Sequence, residues 1–346
     1  MNINNKLFYT NIIFFLFLFI KTSFAFSMFD TNYNEVNFES SNIEASKNDK
    51  IKELTVSNLN LILKKILTKN NYKKIRNKID YKLSNSLIKN IIIENEKILN
   101  SRYSALIKIN YDYNLLVNFL RQNKLSYVES VPNNFFLIII EDNGIKKNLF
   151  SNDNKYYDFL KKNNDQFSNF YMIPNLDIND RFLATPNEIL DMNQNTINKI
   201  KYKYKIKNLI VIHSENNSNV YKIDIYIDTY SEFKLIKQFS NISLDLNNFY
   251  IDLKSIIIDS WKQYNSIQND TITLIDCYVN ALNIYEIKEI NSLLKSISVI
   301  EKYELKKIKL YQNLYEISYY GNIKILKNLF DNNLMKINIV NDKCEI

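Results

Sequence analysis

The stretch that decides the fold lies near the end of the chain, where six segments follow one another. Thr271–Asn280 reads TITLIDCYVN, Ile284–Lys295 reads IYEIKEINSLLK, and Val299–Lys307 reads VIEKYELKK. Leu310–Tyr319 reads LYQNLYEISY, Asn322–Phe330 reads NIKILKNLF, and Met335–Ile339 reads MKINI. Segments one, three, four and six read as strands. The second and fifth carry apolar residues at helical spacing. The order βαββαβ is the ferredoxin-like pattern, expected over residues 269–346. Leu326 and Leu329 should then face the sheet, and Lys327 and Asn328 the solvent.

Working back from that unit, a central α/β domain is expected at 133–268. Phe135–Ile140 and Leu209–Ile212 are unbroken apolar runs, which suit strands covered by helices on both faces. Tyr221, Ile223, Ile225 and Ile227 share one face of an amphipathic strand. A long helix carrying Phe249, Leu253, Ile256, Ile257 and Trp261 closes the domain. An N-terminal αβ domain is expected at 45–132. There Leu59, Ile62, Leu63 and Ile66 make one face of a helix, and a shorter helix covers Ser84–Asn90. Tyr103, Ala105, Ile107 and Ile109 form the inner face of a strand, and Asp112 starts the next helix. Residues 26–44 are polar and read as a flexible leader. The class is α+β or mixed α/β, in several small domains.

The first 25 residues have the parts of a secretory signal peptide. Lys6 precedes an apolar run from Leu7 to Ile20, and Ser23-Phe24-Ala25 sets small residues at the peptidase site. Cleavage is expected between Ala25 and Phe26. The run is shorter than the roughly 20 apolar residues of a spanning helix, and no later stretch could span. The expected product is soluble, secreted across an inner membrane and periplasmic. The net charge is +8. Asn, Lys, Ile and Tyr abound, whereas Gly occurs twice and Pro three times. The lysines read as spread along the chain, so the charge reads as compositional and no nucleic-acid partner is expected.

The candidate chemistry is sparse. His213, the single histidine, ends an apolar strand with no orienting partner in the sequence, which argues for a structural role. Asp177-Ile178-Asn179-Asp180 begins like a calcium loop but has Phe182 where the turn glycine belongs. Asp224 and Asp228 share a strand face with Lys222 and Tyr226, which reads as a solvated face. Gly144 and Gly321 are too few and too far apart for a phosphate-binding loop. No catalytic, cofactor-binding or metal-binding residue is assigned. Cys277 and Cys344 fall on the first and fourth strands of the last unit, antiparallel neighbours in the expected sheet. Their positions along those strands set them apart, so no bridge is expected.

Several segments resemble an uncharacterised bacterial exported family known as domain of unknown function 2066. They are Leu59–Thr68, Arg102–Ile107 with Val117–Leu120, Lys203–Val211, Ser260-Trp261-Lys262, and Tyr319–Asn322 with Leu326 and Leu329. The resemblance implies an exported bacterial envelope protein. The expected function is non-enzymatic binding of another envelope protein, as an assembly factor. The alternative is a hydrolase whose site is assembled from residues distant in sequence.

Overall fold

The computed structural model describes Phe29 and residues 31–345, apart from 130, 133, 230–231, 270, 281–282, 310–311, 333–337 and 341–342. The signal segment and its cleavage site at Ala25 and Phe26 lie outside the described residues. The architecture is α+β, with 14 strands in three sheets among the described residues.

The N-terminal sheet has the order β1-β3-β2, with β1 at Asn34–Glu39, β2 at Ile88–Leu99 and β3 at Arg102–Tyr111, all antiparallel. Helix α1 (Ile43–Ile66) lays Leu59, Ile62, Leu63 and Ile66 on the inner face of β3, where Tyr103, Ala105, Ile107 and Ile109 are buried. Two expectations change here. The flexible leader instead supplies β1, whose register runs from Asn34↔Ile107 to Glu39↔Arg102. Val36 and Phe38 alternate with polar residues in it, and β3 provides the pairing that the sequence alone could not reveal. The helix expected at Ser84–Asn90 ends early. Helices α2 (Lys69–Ile75) and α3 (Tyr81–Ser86) precede β2, which starts at Ile88 because its β-branched residues find β3 beside them. Helix α4 (Tyr113–Gln122) follows β3, capped by Asp112 as expected.

The central sheet has the order β5-β4-β7-β8-β9, with the short β6 on the outer side of β4. Its strands are β4 (Phe135–Asp142), β5 (Lys147–Asn148), β6 (Tyr171–Met172), β7 (Leu209–Asn217), β8 (Val220–Thr229) and β9 (Glu232–Ile242). Strands β4, β6 and β7 are parallel, and β8 and β9 continue antiparallel. Phe135–Ile140 and Leu209–Ile212 are buried throughout, as the unbroken apolar runs require. Helices α5 (Lys155–Lys162), α6 (Asn164–Phe167), α7 (Ile178–Arg181), α8 (Pro186–Leu190) and α9 (Gln194–Tyr204) lie between β5 and β7, and α10 (Leu246–Asn265) follows β9. Tyr156 and Tyr250 mark the face covered by α5 and α10, and Tyr204, in ring contact with Phe136, marks the face covered by α9.

In the C-terminal sheet the order is β11-β12-β10-β14-β13. β10 (Ile272–Val279), α11 (Ile284–Ser296), β11 (Ile300–Lys307), β12 (Asn313–Tyr320) and α12 (Ile323–Asn332) follow the expected βαββα order. The last step differs from the ferredoxin-like pattern. Residues 335–337 of the expected fourth strand lie outside the described residues, and Asn338 and Ile339 fall in β13 (Asn338–Val340), which lies at the sheet edge instead of beside β10. The chain then turns back, and β14 (Lys343–Glu345) takes the place beside β10, parallel to it. A hairpin reverses strand direction, so the inner strand of this terminal hairpin must run parallel to β10.

The two terminal units are not separate. Leu59, Ile107 and Leu120 share one continuous core with Cys277, Ile317 and Leu326, whereas the central residues form a second core. The Ile267 N–H donates to the Tyr127 carbonyl at 2.7 Å, Arg121 donates to the Ser298 carbonyl at 3.2 Å, and its guanidinium lies 4.0 Å from the Tyr320 ring centre. Among the described residues no helix is long and apolar enough to cross a membrane.

Candidate functional site

In a sheet with parallel strands, side chains at the carboxyl ends of those strands are the usual place for chemistry. At the ends of β4 and β7 the structure gathers Glu141, Asp142, His213, Ser214 and Glu215, joined by Lys222 and Asp224 from β8. The two faces of the sheet separate them. On the α9 face His213 Nε2 lies 3.6 Å from Asp142 Oδ2, and its Nδ1 lies 3.6 Å from Glu215 Oε1. Neither is a hydrogen bond, and Nε2 is buried without a hydrogen-bond partner among the described residues. Lys222 spans Glu215 at 3.3 Å and Asp224 at 3.8 Å, and Gln238 donates to Asp224 at 2.6 Å.

Ser214 lies on the opposite face, where its hydroxyl is 2.5 Å from that of Tyr156. There Lys155 donates to the Tyr221 hydroxyl at 2.8 Å and pairs with Glu141 at 3.5 Å. Ser214 and His213 therefore cannot work as nucleophile and base, because consecutive strand residues point apart.

The other sequence candidates are occupied by the fold. Asp177 caps α7 by accepting from the Asp180 N–H. Asp180 is fully buried and accepts from Lys203, Tyr204 and the Leu176 N–H. Burial works to raise its carboxyl, but these three donors hold it below the ordinary carboxylate value. Asp224 and Asp228 do not form a solvated face. Asp224 is 8% exposed, and Asp228, nearly buried under α9, pairs with Lys201. Among the described residues no group of three His, Cys, Asp or Glu is placed to hold a metal ion.

The cysteines give the clearest correction. Cys277 and Cys344 are directly opposite in the β10–β14 register, with Cα atoms 4.3 Å apart, and they form a disulfide. The expected separation failed because it placed the neighbouring strand antiparallel. The parallel return of β14 brings Cys344 level with Cys277, and both are fully buried. No protein-family model and no curated protein matches the chain.

The disulfide fixes one side of β10, and β12 pairs with the other, from Ile272↔Tyr320 to Val279↔Asn313. Ile275, Cys277 and Val279 point into the core. The opposite, outer face carries Ile272 and Leu274, which are 54% and 62% exposed. Across the same face Asp276, Glu316 and Glu304 form one transverse row over β10, β12 and β11. Lys302 and Lys306 bond to Glu304 and hold its carboxyl down to about 2. Lys306 also reaches Glu316 at 2.9 Å. Sequence reasoning placed these strands but did not single out this face. Its signal was present in Ile272 and Leu274, apolar residues two apart with acidic Asp276 following at the same spacing.

Proposed function

We propose that this chain is an exported envelope protein that acts by binding another protein through the outer face of its C-terminal sheet. The observation that carries the reading is the pair Ile272 and Leu274, largely exposed on a strand held by pairing on both sides and by a disulfide. Two neighbouring aliphatic side chains on one sheet face offer apolar area that a partner can bury. The row of Asp276, Glu316 and Glu304, with Lys302 and Lys306 paired to it, gives the apolar pair a polar border of mixed charge. The disulfide supports export, because such bonds persist in oxidising compartments and are rare in the cytosol. The resemblance to an exported family points the same way.

A photo-crosslinking residue at position 274 tests the binding reading in the native host. The expected result is a discrete crosslinked partner that a probe at Lys327, on the exposed side of α12, does not capture. Identical crosslink patterns from both sites would sink it. N-terminal sequencing of the same protein should begin at or near Phe26, and an intact Met1 would contradict export.

A further inference from the structure

The chain's positive charge is not spread evenly. Residues 64–89 hold nine of the 45 Lys and Arg but only one of the 37 Asp and Glu, namely Asp80. The remaining 36 basic and 36 acidic residues cancel, so this single segment carries the whole net charge of +8. The fold keeps these residues on neighbouring elements. Lys64 and Lys65 lie in the last turn of α1, and Lys69, Lys73 and Lys74 lie on α2. Arg76 and Lys78 lie in the turn that follows, Lys82 is on α3, and Lys89 is the second residue of β2. All nine are exposed.

The buried residues of these elements, Ile66, Leu67, Ile75, Ile79 and Leu87, enter one core. Helix α1 contacts both α2 and α3, and the Lys64 ammonium lies 5.5 Å from the ring centre of Tyr72 on α2, so the exposed faces of these helices adjoin as one cap. Among the described residues none of the nine cations has a carboxylate within ion-pair distance, and Asp80 is the single acidic residue in the segment. Like charges this dense repel one another, and pairing them would relieve that cost. Leu61 and Tyr81, 54% and 41% exposed, lie among them on the same elements.

We propose that this cap is a docking surface for anionic lipid headgroups, which would hold the protein at a membrane surface without a spanning segment. Clustered lysines beside a membrane are attracted to anionic lipid, and exposed Leu and Tyr side chains seat at the headgroup boundary. Eight of the nine cations are Lys and one is Arg. Flexible point charges suit a diffuse anionic surface, whereas nucleic-acid readout favours the planar fork of Arg.

The test uses the full chain without its first 25 residues and sedimentation with vesicles of neutral phosphatidylcholine, alone or mixed with phosphatidylglycerol. In about 0.1 M salt the protein should partition onto the anionic vesicles and not the neutral ones, and about 0.5 M salt should release it. Each cation near the surface contributes about fivefold in partition, so Lys73→Gln, Lys74→Gln, Arg76→Gln and Lys78→Gln together should lower it several hundredfold. A control with the same charge change elsewhere, at Lys124, Lys288, Lys295 and Lys327, should lower it less than about tenfold. All eight positions are exposed, and circular dichroism checks that both variants keep the fold. Failure to bind anionic vesicles, or equal losses in the two variants, would overturn the proposal. Tighter binding to a single-stranded oligonucleotide than to the anionic vesicles at equal salt would overturn it too.

Discussion

Lys262→Met probes how the central unit grips the N-terminal one. Lys262 is 6% exposed, and its ammonium donates to the carbonyls of Lys64, at 2.7 Å, and Leu67, at 3.0 Å. Both lie at the end of α1, where carbonyls lack partners within the helix. One turn earlier on α10, Asp259 accepts from the Lys69 N–H at 2.6 Å, at the start of α2. Burial pushes the ammonium from 10.5 down to about 8, with Asp259 opposing that shift and Lys69 adding to it. Near pH 7 methionine strands two carbonyls, at about 1–3 kcal/mol each. It also relieves the burial of a charge, worth about 3 kcal/mol at about 1.4 kcal/mol per pH unit. The two nearly offset, and the net loss should be on the order of 1 kcal/mol.

Raising the pH separates them. Between about pH 8 and 10.5 the native lysine is neutral while the unfolded one still holds its proton, so the wild type gains stability and the variant does not. The gap between them should widen by about 2.5 kcal/mol from pH 7 to pH 10. Urea denaturation at both pH values, read by Trp261, the single tryptophan, measures it. A gap that stays constant or narrows would mean that the carbonyls hold the charged form and that the burial argument is wrong.

Three further outcomes follow from other contacts. Cys344→Ser opens a covalent link of sequence separation 67 and should cost about 4 kcal/mol in urea denaturation without reductant. Leu326→Ala, at a fully buried position, should cost about 2–5 kcal/mol, while Lys327→Ala on the exposed side should cost about 0.5 kcal/mol or less. Leu329 is only half-buried, so Leu329→Ala should cost less than Leu326→Ala in the same assay. Glu129 accepts from Tyr113 at 2.6 Å, and burial raises its carboxyl above the usual value. The native state therefore holds that proton longer than the unfolded state, and stability falls as pH rises from about 4.5 through the raised value. Glu129→Gln should remove this fall, so its stability relative to wild type should be greater near pH 7 than near pH 4 in a pH series of melts.

What the sequence determined by itself was local. The unbroken run Phe135–Ile140 has the length and composition of a strand covered on both faces, and the alternation from Tyr103 to Ile109 is that of a strand covered on one face. The helix register at Leu326 and Lys327 follows from the 3.6-residue period. Only the tertiary structure decided what depends on partners far along the chain. β1 is a strand because β3 lies beside it, and the terminal units share one core because Leu59, Ile107 and Leu120 pack in the same cluster as Ile317 and Leu326. Cys277 meets Cys344 because the chain reverses once more after β13, and one reversal exchanges antiparallel for parallel and moves every residue of β14 along its neighbour. The nine cations of residues 64–89 are visible in the sequence. That the helices carrying most of them lie against one another depends on packing, which the sequence does not show.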